Sequence, residues 1–370
     1  MQIGLLGHGV VGSGVQKIID ETFSNNTIEI KKILVKDLND YEDTRSTTNI
    51  NDLLNDEDIK VIVECIGGLE PAHTYVLNAL KKHKHVVTSN KKMLATYALE
   101  LFTVAKENNI SIHYEASVGG GIPWIHECNR IQRIDEIQSF YGIMNGTTNY
   151  ILSSMKEKNC SFEDALKEAQ AKGYAEKDPT DDIHGYDVRY KTCLSLLTCF
   201  HKYCKPANIP TFGIQSISSD DFSYASSIQC TIKLLGKGTP NSFYVMPVFV
   251  PNTYPIASIP LNFNFVSCTS KTLGEASFIG QGAGSFPTAH AMIQDILDIY
   301  EGNVLTNNSI EDISNFDYPT CSYYVRTTKK LPDSFIKEKL NETTYITYEL
   351  NLEKLMKYIN EEDFIAEVMK

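Results

Sequence analysis

Between Gly173 and Lys191 the chain reads GYAEKDPTDDIHGYDVRYK, which sets Glu176, Asp178, Asp181, Asp182 and Asp187 ahead of a lysine. Acids within KDPTDD alone would suit an ordinary surface turn. The continuation, DIHGYDVRYKTCLSLLTCF, reads as a helix, and it places Asp187 and Lys191 four residues apart on one face. Leu194, Ser195 and Thr198 lie on the same side, and the helix is largely apolar thereafter, so Lys191 sits at the lip of a buried helix. An amino-acid substrate carries an ammonium that wants carboxylates, and Glu176, Asp181, Asp182 and Asp187 are candidates. A carbonyl being reduced wants a proton or a positive charge beside its oxygen, which Lys191 can supply. Asp187 one turn away favours the charged lysine, which suits an acid in reduction and a base less well in oxidation. A surface ion pair is the plainer alternative.

The N-terminal stretch MQIGLLGHGVVGSGVQKIID offers a seat for a hydride carrier. A short apolar run precedes Gly7, Gly9 and Gly12, and a helical pattern follows. Gly7 permits a tight turn, Gly9 lets the backbone approach a pyrophosphate, and Gly12 permits close helix–strand packing. His8, Val10 and Val11 belong to the same loop, at a helix N-terminus whose free N–H groups face an anion. An acid at the end of the second strand would grip the 2′-OH of NAD, whereas a cation would suit the phosphate of NADP. Lys36, then Asp37, with Arg45 further on, favours NADP; solvated loop charges are the bland alternative. TSNKK puts Thr88, Asn90 and Lys91 just past a strand. EASVGGGIP can bring carbonyls and N–H groups close to a ligand or ion, or act as a hinge. A second glycine-rich helix entrance, with Gly280, Gly282 and Gly284, can also approach a cofactor or be a simple turn.

These residues need elements to hold them. IEIKKILV (28–35), KVIVECIGG (60–68), HVVTSNK and NISIHYEASVGGG read as strands, and PAHTYVLNALKKH as a helix with Pro71 near its first turn. Strand–helix alternation of this kind implies an α/β, Rossmann-type, doubly wound parallel sheet. Around residue 130 the pattern changes. A strand over 137–143 leads to a polar turn at 145–148, where Thr147 and Thr148 could cap the next helix or bind a ligand. SFEDALKEAQAKG is a further helix, opened by Ser161 and Asp164 and stopped by Gly173.

The 370 residues suffice for two or three domains. The net charge is −12 and no long Lys/Arg run occurs, which argues against a nucleic-acid groove. KKHKH (81–85) reads as a solvated helix end. Nine scattered cysteines without a CxxC pair suit free thiols in a reducing compartment, and no zinc-binding spacing is present. With no secretory pattern and no apolar run of about 20 residues, the chain reads as cytoplasmic, with no membrane partner.

The chain resembles the homoserine dehydrogenase family. Ala169, Gly173, Tyr174, Ala175, Glu176, Asp178, Pro179, Asp182, Gly185, Asp187 and Lys191 fill the family's long signature without a gap. VVTSNK, YEASVGGGIP, GIMNGTTNYIL and GQGAGSFPTA look like family blocks in family order, and the similarity covers roughly residues 1–305. The resemblance implies reversible, NAD(P)H-dependent reduction of L-aspartate 4-semialdehyde to L-homoserine, on the branch towards threonine, methionine and isoleucine. It makes Lys191 the proton donor and Lys91 a second basic group near the reacting oxygen. Glu176 and Asp187 would hold the substrate, joined by Thr147 and Asp182. Gly173, Glu176 and Gly282 would approach the nicotinamide side of the cofactor. A monovalent cation, usually sodium, carries onto Glu115, Val118, Gly120 and Ile122, mostly through backbone carbonyls. The implied organisation is a dinucleotide-binding domain over 1–130 and an α+β substrate and dimerisation domain over 131–285. A helix over 286–305 would pack back on the nucleotide domain, and a short βαβ-like module would span 306–370. The expected assembly is a homodimer or a dimer of dimers.

Three departures stand out. Val10 occupies a position that is often small and polar in the family, and Ser89 replaces the commoner Ala. The tail is too compact for a full regulatory ACT domain: SYYVRTTKKLP resembles its opening strand, and SFIKEKL, TYITYEL, LEKLMKYI and FIAEVM then read as helix, strand, helix, strand. Two rival readings stand beside this one. One is a semialdehyde dehydrogenase with Cys128, in HECNR, as an acyl-accepting nucleophile. The other is a catalytically inactive NAD(P)-binding regulatory protein.

Overall fold

The structure, a computed structural model, describes residues 1–23, 27–303 and 309–369. The boundary expected at 305/306 lies outside the described residues. Two compact units appear: 1–133 with 197–205 and 280–312, and 134–196 with 206–279 and 313–370.

The first unit is built on six strands, β1 (Gln2–Leu6), β2 (Glu29–Leu34), β3 (Ser46–Thr47), β4 (Ile59–Glu64), β5 (His85–Thr88) and β6 (Ile112–His113). All pair in parallel, in the order β3-β2-β1-β4-β5-β6. Parallel sheets are covered on both faces, which is why β1 and β4 are near-continuous apolar runs. Ile3, Leu5, Ile30, Ile33, Val61 and Val63 form one core with Val15 and Ile19 of the helix Val10–Thr22. Met292, Ile293 and Ile296 of the helix Ser285–Glu301 complete it. The strand order reverses at β1, between β2 and β4, and open α/β sheets bind ligands beyond the carboxyl ends of their strands at such a point.

In chain order the remaining strands are β7 (Ile137–Ile143), β8 (Lys202–Tyr203), β9 (Cys230–Gly238), β10 (Phe243–Pro251), β11 (Phe263–Ser270), β12 (Gly274–Gln281), β13 (Glu311–Asp312), β14 (Thr320–Cys321), β15 (Tyr323–Arg326), β16 (Ile336–Lys339), β17 (Thr344–Thr347), β18 (Leu350–Asn351) and β19 (Phe364–Val368). Nine of them make the mixed sheet of the second unit, ordered β12-β11-β7-β9-β10-β19-β15-β17-β16. The helix Gly146–Lys158 lies on β9 and β11. The tail is woven into this sheet: β19 runs parallel to β10 and antiparallel to β15. Its helix Leu352–Met356 and strands β17 and β19 fall where the sequence reading puts a helix and two strands.

SFIKEKL is a correction. A helix was expected there, and the chain forms β16 instead, paired antiparallel to β17. Its Lys/Glu content suits a helix, but the hairpin partner prevails, and Leu340 N–H donates to Thr344 O at 2.9 Å to close the turn. Lys337, Glu338 and Lys339 are exposed on what is the sheet's outermost strand, where charge discourages edge-to-edge pairing.

Candidate active site

The acids and the lysine meet at an asparagine. Asn145 caps the helix Gly146–Lys158, its Oδ1 accepting from Thr148 N–H at 2.8 Å. Its Nδ2 donates to Asp182 Oδ1 at 2.7 Å and to Asp187 Oδ2 at 2.9 Å. One amide thus clasps two carboxylates that would otherwise repel. Lys191 Nζ donates to the same Asp187 Oδ2 at 2.7 Å and to the Met144 carbonyl at 2.6 Å. Asp187 and Lys191 are 6% and 7% exposed, so their pairing is a buried one rather than a surface ion pair. Burial pushes the Asp182 carboxyl above its ordinary range, and the Asp187 charge adds to the effect.

The backbone explains this convergence. Gly185, at φ +79°, turns the chain between the helices Thr180–Ile183 and Tyr186–Phe200, so that Asp182 and Asp187 face the same point. Loop 211–214 braces the turn, with Ile214 N–H donating to Ile183 O at 2.7 Å. Thr147 Oγ1 donates to the Tyr174 carbonyl at 2.6 Å, joining the capped helix to the signature segment.

In the first unit Gly7 takes φ +91° and its N–H donates to Leu34 O at 3.0 Å. A Cβ on Gly12 would lie 2.2 Å from Gly7 O, so nothing larger than glycine fits there. A Cβ on Gly9 would meet no atom within 4 Å, which marks open space above the loop. Glu64, fully buried at the end of β4, accepts from Ile66 and Gly67 N–H at 2.8 and 3.0 Å and from Thr88 Oγ1 at 2.6 Å. Asn90 receives Met93 N–H and donates to Gly68 O, which seats Lys91 as the first residue of the helix Lys91–Glu107. Glu64 and Asn90 therefore tie together the loops after β4 and β5.

The two glycine-rich segments explain one another. Gly119 and Gly120 take φ +82° and +62°, and a Cβ on Gly120 would lie 2.5 Å from Gly282 C. Gly121 N–H donates to Gln281 O at 3.2 Å, so backbone packs on backbone rather than hinging. Beside them, the buried Glu115 carboxylate accepts from Ile125 and His126 N–H at 2.9 and 2.6 Å, at the start of the helix Trp124–Ile131. Burial nevertheless raises its pKa to about 7.

Residues 123–297 match the family described as Homoserine dehydrogenase, and residues 7–115 match the Homoserine dehydrogenase NAD-binding domain. The Bacillus subtilis (strain 168) homoserine dehydrogenase is 37% identical over 326 residues, 84% of this chain and 75% of that protein. The chain belongs to the homoserine dehydrogenase family. It is an NAD(P)-dependent oxidoreductase with homoserine dehydrogenase activity. The homoserine dehydrogenase structure from Thiobacillus denitrificans superposes with a TM-score of 0.88 at 30% identity, covering 100% of this chain and 98% of that one. The Staphylococcus aureus homoserine dehydrogenase at pH 7.5 gives 0.79 at 29% identity, covering 99% and 98%.

Other residues that the homoserine dehydrogenase resemblance singles out stand differently. Glu176 is exposed, and its side chain makes no hydrogen bond or ion pair among the described residues. Gly173, at φ +76°, ends the helix Phe162–Ala171 and is exposed. Lys36 is exposed just past β2, whereas Arg45 is taken up by Asp20 and Asp43 at 2.8 and 2.7 Å. Both partners hold the Arg45 cation, and Arg45 in turn lowers the Asp43 carboxyl to about 2. His8 bonds Gln16, and Val10 is exposed at the helix entrance, followed by a half-buried Val11. Gly282 is likewise half-buried. Cys128 is fully buried, with its Sγ 3.6 Å from that of Cys199, which removes it as an accessible acyl acceptor. Sequence reasoning missed Asn145 and Glu64. For Asn145 a signal existed, since asparagine is a preferred cap and stands just before the helix.

Proposed function

We propose that the protein reduces L-aspartate 4-semialdehyde to L-homoserine, reversibly, with Lys191 as the proton donor to the aldehyde oxygen. The observation that carries this reading is the buried Lys191 ammonium held between Asp187 and the Met144 carbonyl. An ammonium fixed by these acceptors is a proton donor held in a set place, as reduction of a carbonyl requires. Asp182 and Asp187, clasped by Asn145, take the substrate ammonium, with Glu176 and Thr147 as further contacts. Lys91 is a second cation for the charge that develops on oxygen. NAD(P)H, when bound, supplies the hydride.

The loop Gly7, His8, Gly9, Val10, Val11 and Gly12 takes the pyrophosphate, Gly173, Glu176 and Gly282 serve the nicotinamide side, and Thr88 and Lys91 complete the cofactor-binding set. Lys36 supports NADP over NAD. A hyperthermophilic archaeal homoserine dehydrogenase, described in complex with NADPH, shares the fold with a TM-score of 0.71 at 23% identity. A sodium ion would be held through the carbonyls of Glu115, Val118, Gly120 and Ile122. The Val118 and Gly120 carbonyls accept no hydrogen bond among the described residues, which fits such a role. The second unit would carry the substrate site and pair with a second copy, in the cytoplasm. In its support, no helix among the described residues is long and apolar enough to cross a membrane.

The test is homoserine-dependent reduction of NADP+ and NAD+, each with and without sodium and threonine. Faster turnover with NADP+, stimulated by sodium, is expected. No reduction of either cofactor would return the protein to the inactive-sensor reading.

A further inference from the structure

We infer that His113, Asp295 and Asp298 form a site for a divalent transition-metal ion, distinct from the carbonyl loop assigned to sodium. One ligand atom from each residue lies within 4.8 Å of the others. His113 ends β6, and the two aspartates share a face of the helix Ser285–Glu301 at i and i+3. All three belong to the nucleotide-binding unit.

His113 is the independent observation. Its ring is 1% exposed, yet neither nitrogen has a hydrogen-bond partner among the described residues. Buried polar groups are nearly always satisfied. Nδ1 stands 3.9 Å from Asp295 Oδ1, too far for a hydrogen bond. Two ligands each about 2.0–2.2 Å from one ion can lie up to about 4.2 Å apart, so 3.9 Å suits a shared metal.

The charge pattern agrees. Asp295 and Glu115 are buried side by side, with Asp295 Oδ2 accepting from Glu115 N–H at 3.0 Å. No lysine or arginine ion-pairs with Glu115, Asp295 or Asp298 among the described residues. No lysine or arginine therefore offsets these carboxyl groups, which leaves room for an added cation. The hydrogen bond to Glu115 N–H also fixes the orientation of Asp295, as outer partners of metal ligands do. An entry path to the two aspartates exists: a cavity of about 310 Å³ is lined by Glu115, Asp295, Asp298, His126, His290 and Gln294. One imidazole and two carboxylates suit Zn2+ or Mn2+ better than a soft thiolate-seeking ion, with water completing the shell. The ion would staple β6 to the helix Ser285–Glu301, next to the loop that begins at Glu115.

The test uses the full chain, dialysed against chelator and titrated with Zn2+, and with Co2+ as an optical probe. One equivalent of Zn2+ per chain is expected, with a Co2+ spectrum lacking any thiolate charge-transfer band. His113→Phe and Asp298→Asn should each weaken Zn2+ binding at least about 100-fold, beyond the 10–100-fold typical of outer-shell changes. Asp298 is only partly buried, so its variant should fold even if the His113 variant does not. Both should keep the wild-type response of turnover to sodium. Unchanged Zn2+ affinity in Asp298→Asn, a thiolate band with Co2+, or no stoichiometric binding would each overturn the proposal.

Discussion

Replacing Lys191 with Met tests the proton-donor role, but its size alone is ambiguous. Loss of a general acid typically costs 10²–10⁴ in rate, or about 3–5 kcal/mol of barrier. Removing one partner of a buried ion pair costs about 3–5 kcal/mol of stability. Here Asp187 keeps the Asn145 amide at 2.9 Å, so about 3 kcal/mol is the better figure. At about 2–4 °C per kcal/mol for a unit of this size, the melting temperature should fall by about 6–12 °C. A slow enzyme could therefore be merely a loosened one. The double variant Lys191→Met/Asp187→Asn separates the two effects, because it removes both charges and leaves an amide that Asn145 can still bond. Its melting temperature should return to within about 3 °C of the wild type, while turnover stays at least about 100-fold down. Cofactor affinity should stay within about threefold in both variants. Thermal unfolding, steady-state rates and cofactor titration on the same preparations decide the matter. Turnover that recovers together with stability in the double variant would refute the role of Lys191 as an acid.

Gly9→Ala should leave the melting temperature unchanged, because its Cβ meets no protein atom within 4 Å, yet weaken NADP(H) binding about tenfold or more by intruding on the pyrophosphate. Cofactor titration alongside thermal unfolding checks both halves. Lys233, buried and bonded to Asn149 Oδ1 and Ile259 O at 2.8 and 2.7 Å, has its pKa lowered to about 7 by burial. Between pH 7 and an unfolded value near 10.5 the unfolded chain holds the extra proton, so this group's contribution to stability rises with pH. The gain should be about 2 kcal/mol from pH 7 to 9, and Lys233→Met should flatten that part of the denaturation profile.

The glycine loop and the Asp187–Lys191 pair were legible because their information is local: a three-glycine spacing and a one-turn helical offset. Asn145 was not, since its two carboxylates lie 37 and 42 residues further along the chain, and only the Gly185 turn brings them back. Arg45 failed for the same reason. Its charge read as available to a phosphate until the fold brought Asp20 against it, 25 residues away. SFIKEKL shows the opposite hazard, in which helix-favouring residues yield to the adjacent strand β17. Glu64 carried no signal at all: an acid ending an apolar strand is unremarkable until the N–H groups of the next loop are seen to close on it.

The place of β19 bears on the order of assembly. In the strand order of the described residues it stands between five strands on one side, β12-β11-β7-β9-β10, and three on the other, β15-β17-β16. During synthesis, the flank of β10 that will receive it must wait with its N–H and C=O groups unanswered until residues 364–368 leave the ribosome. The nucleotide unit needs none of those residues, so a nascent chain could hold a finished cofactor fold beside a half-zipped neighbour.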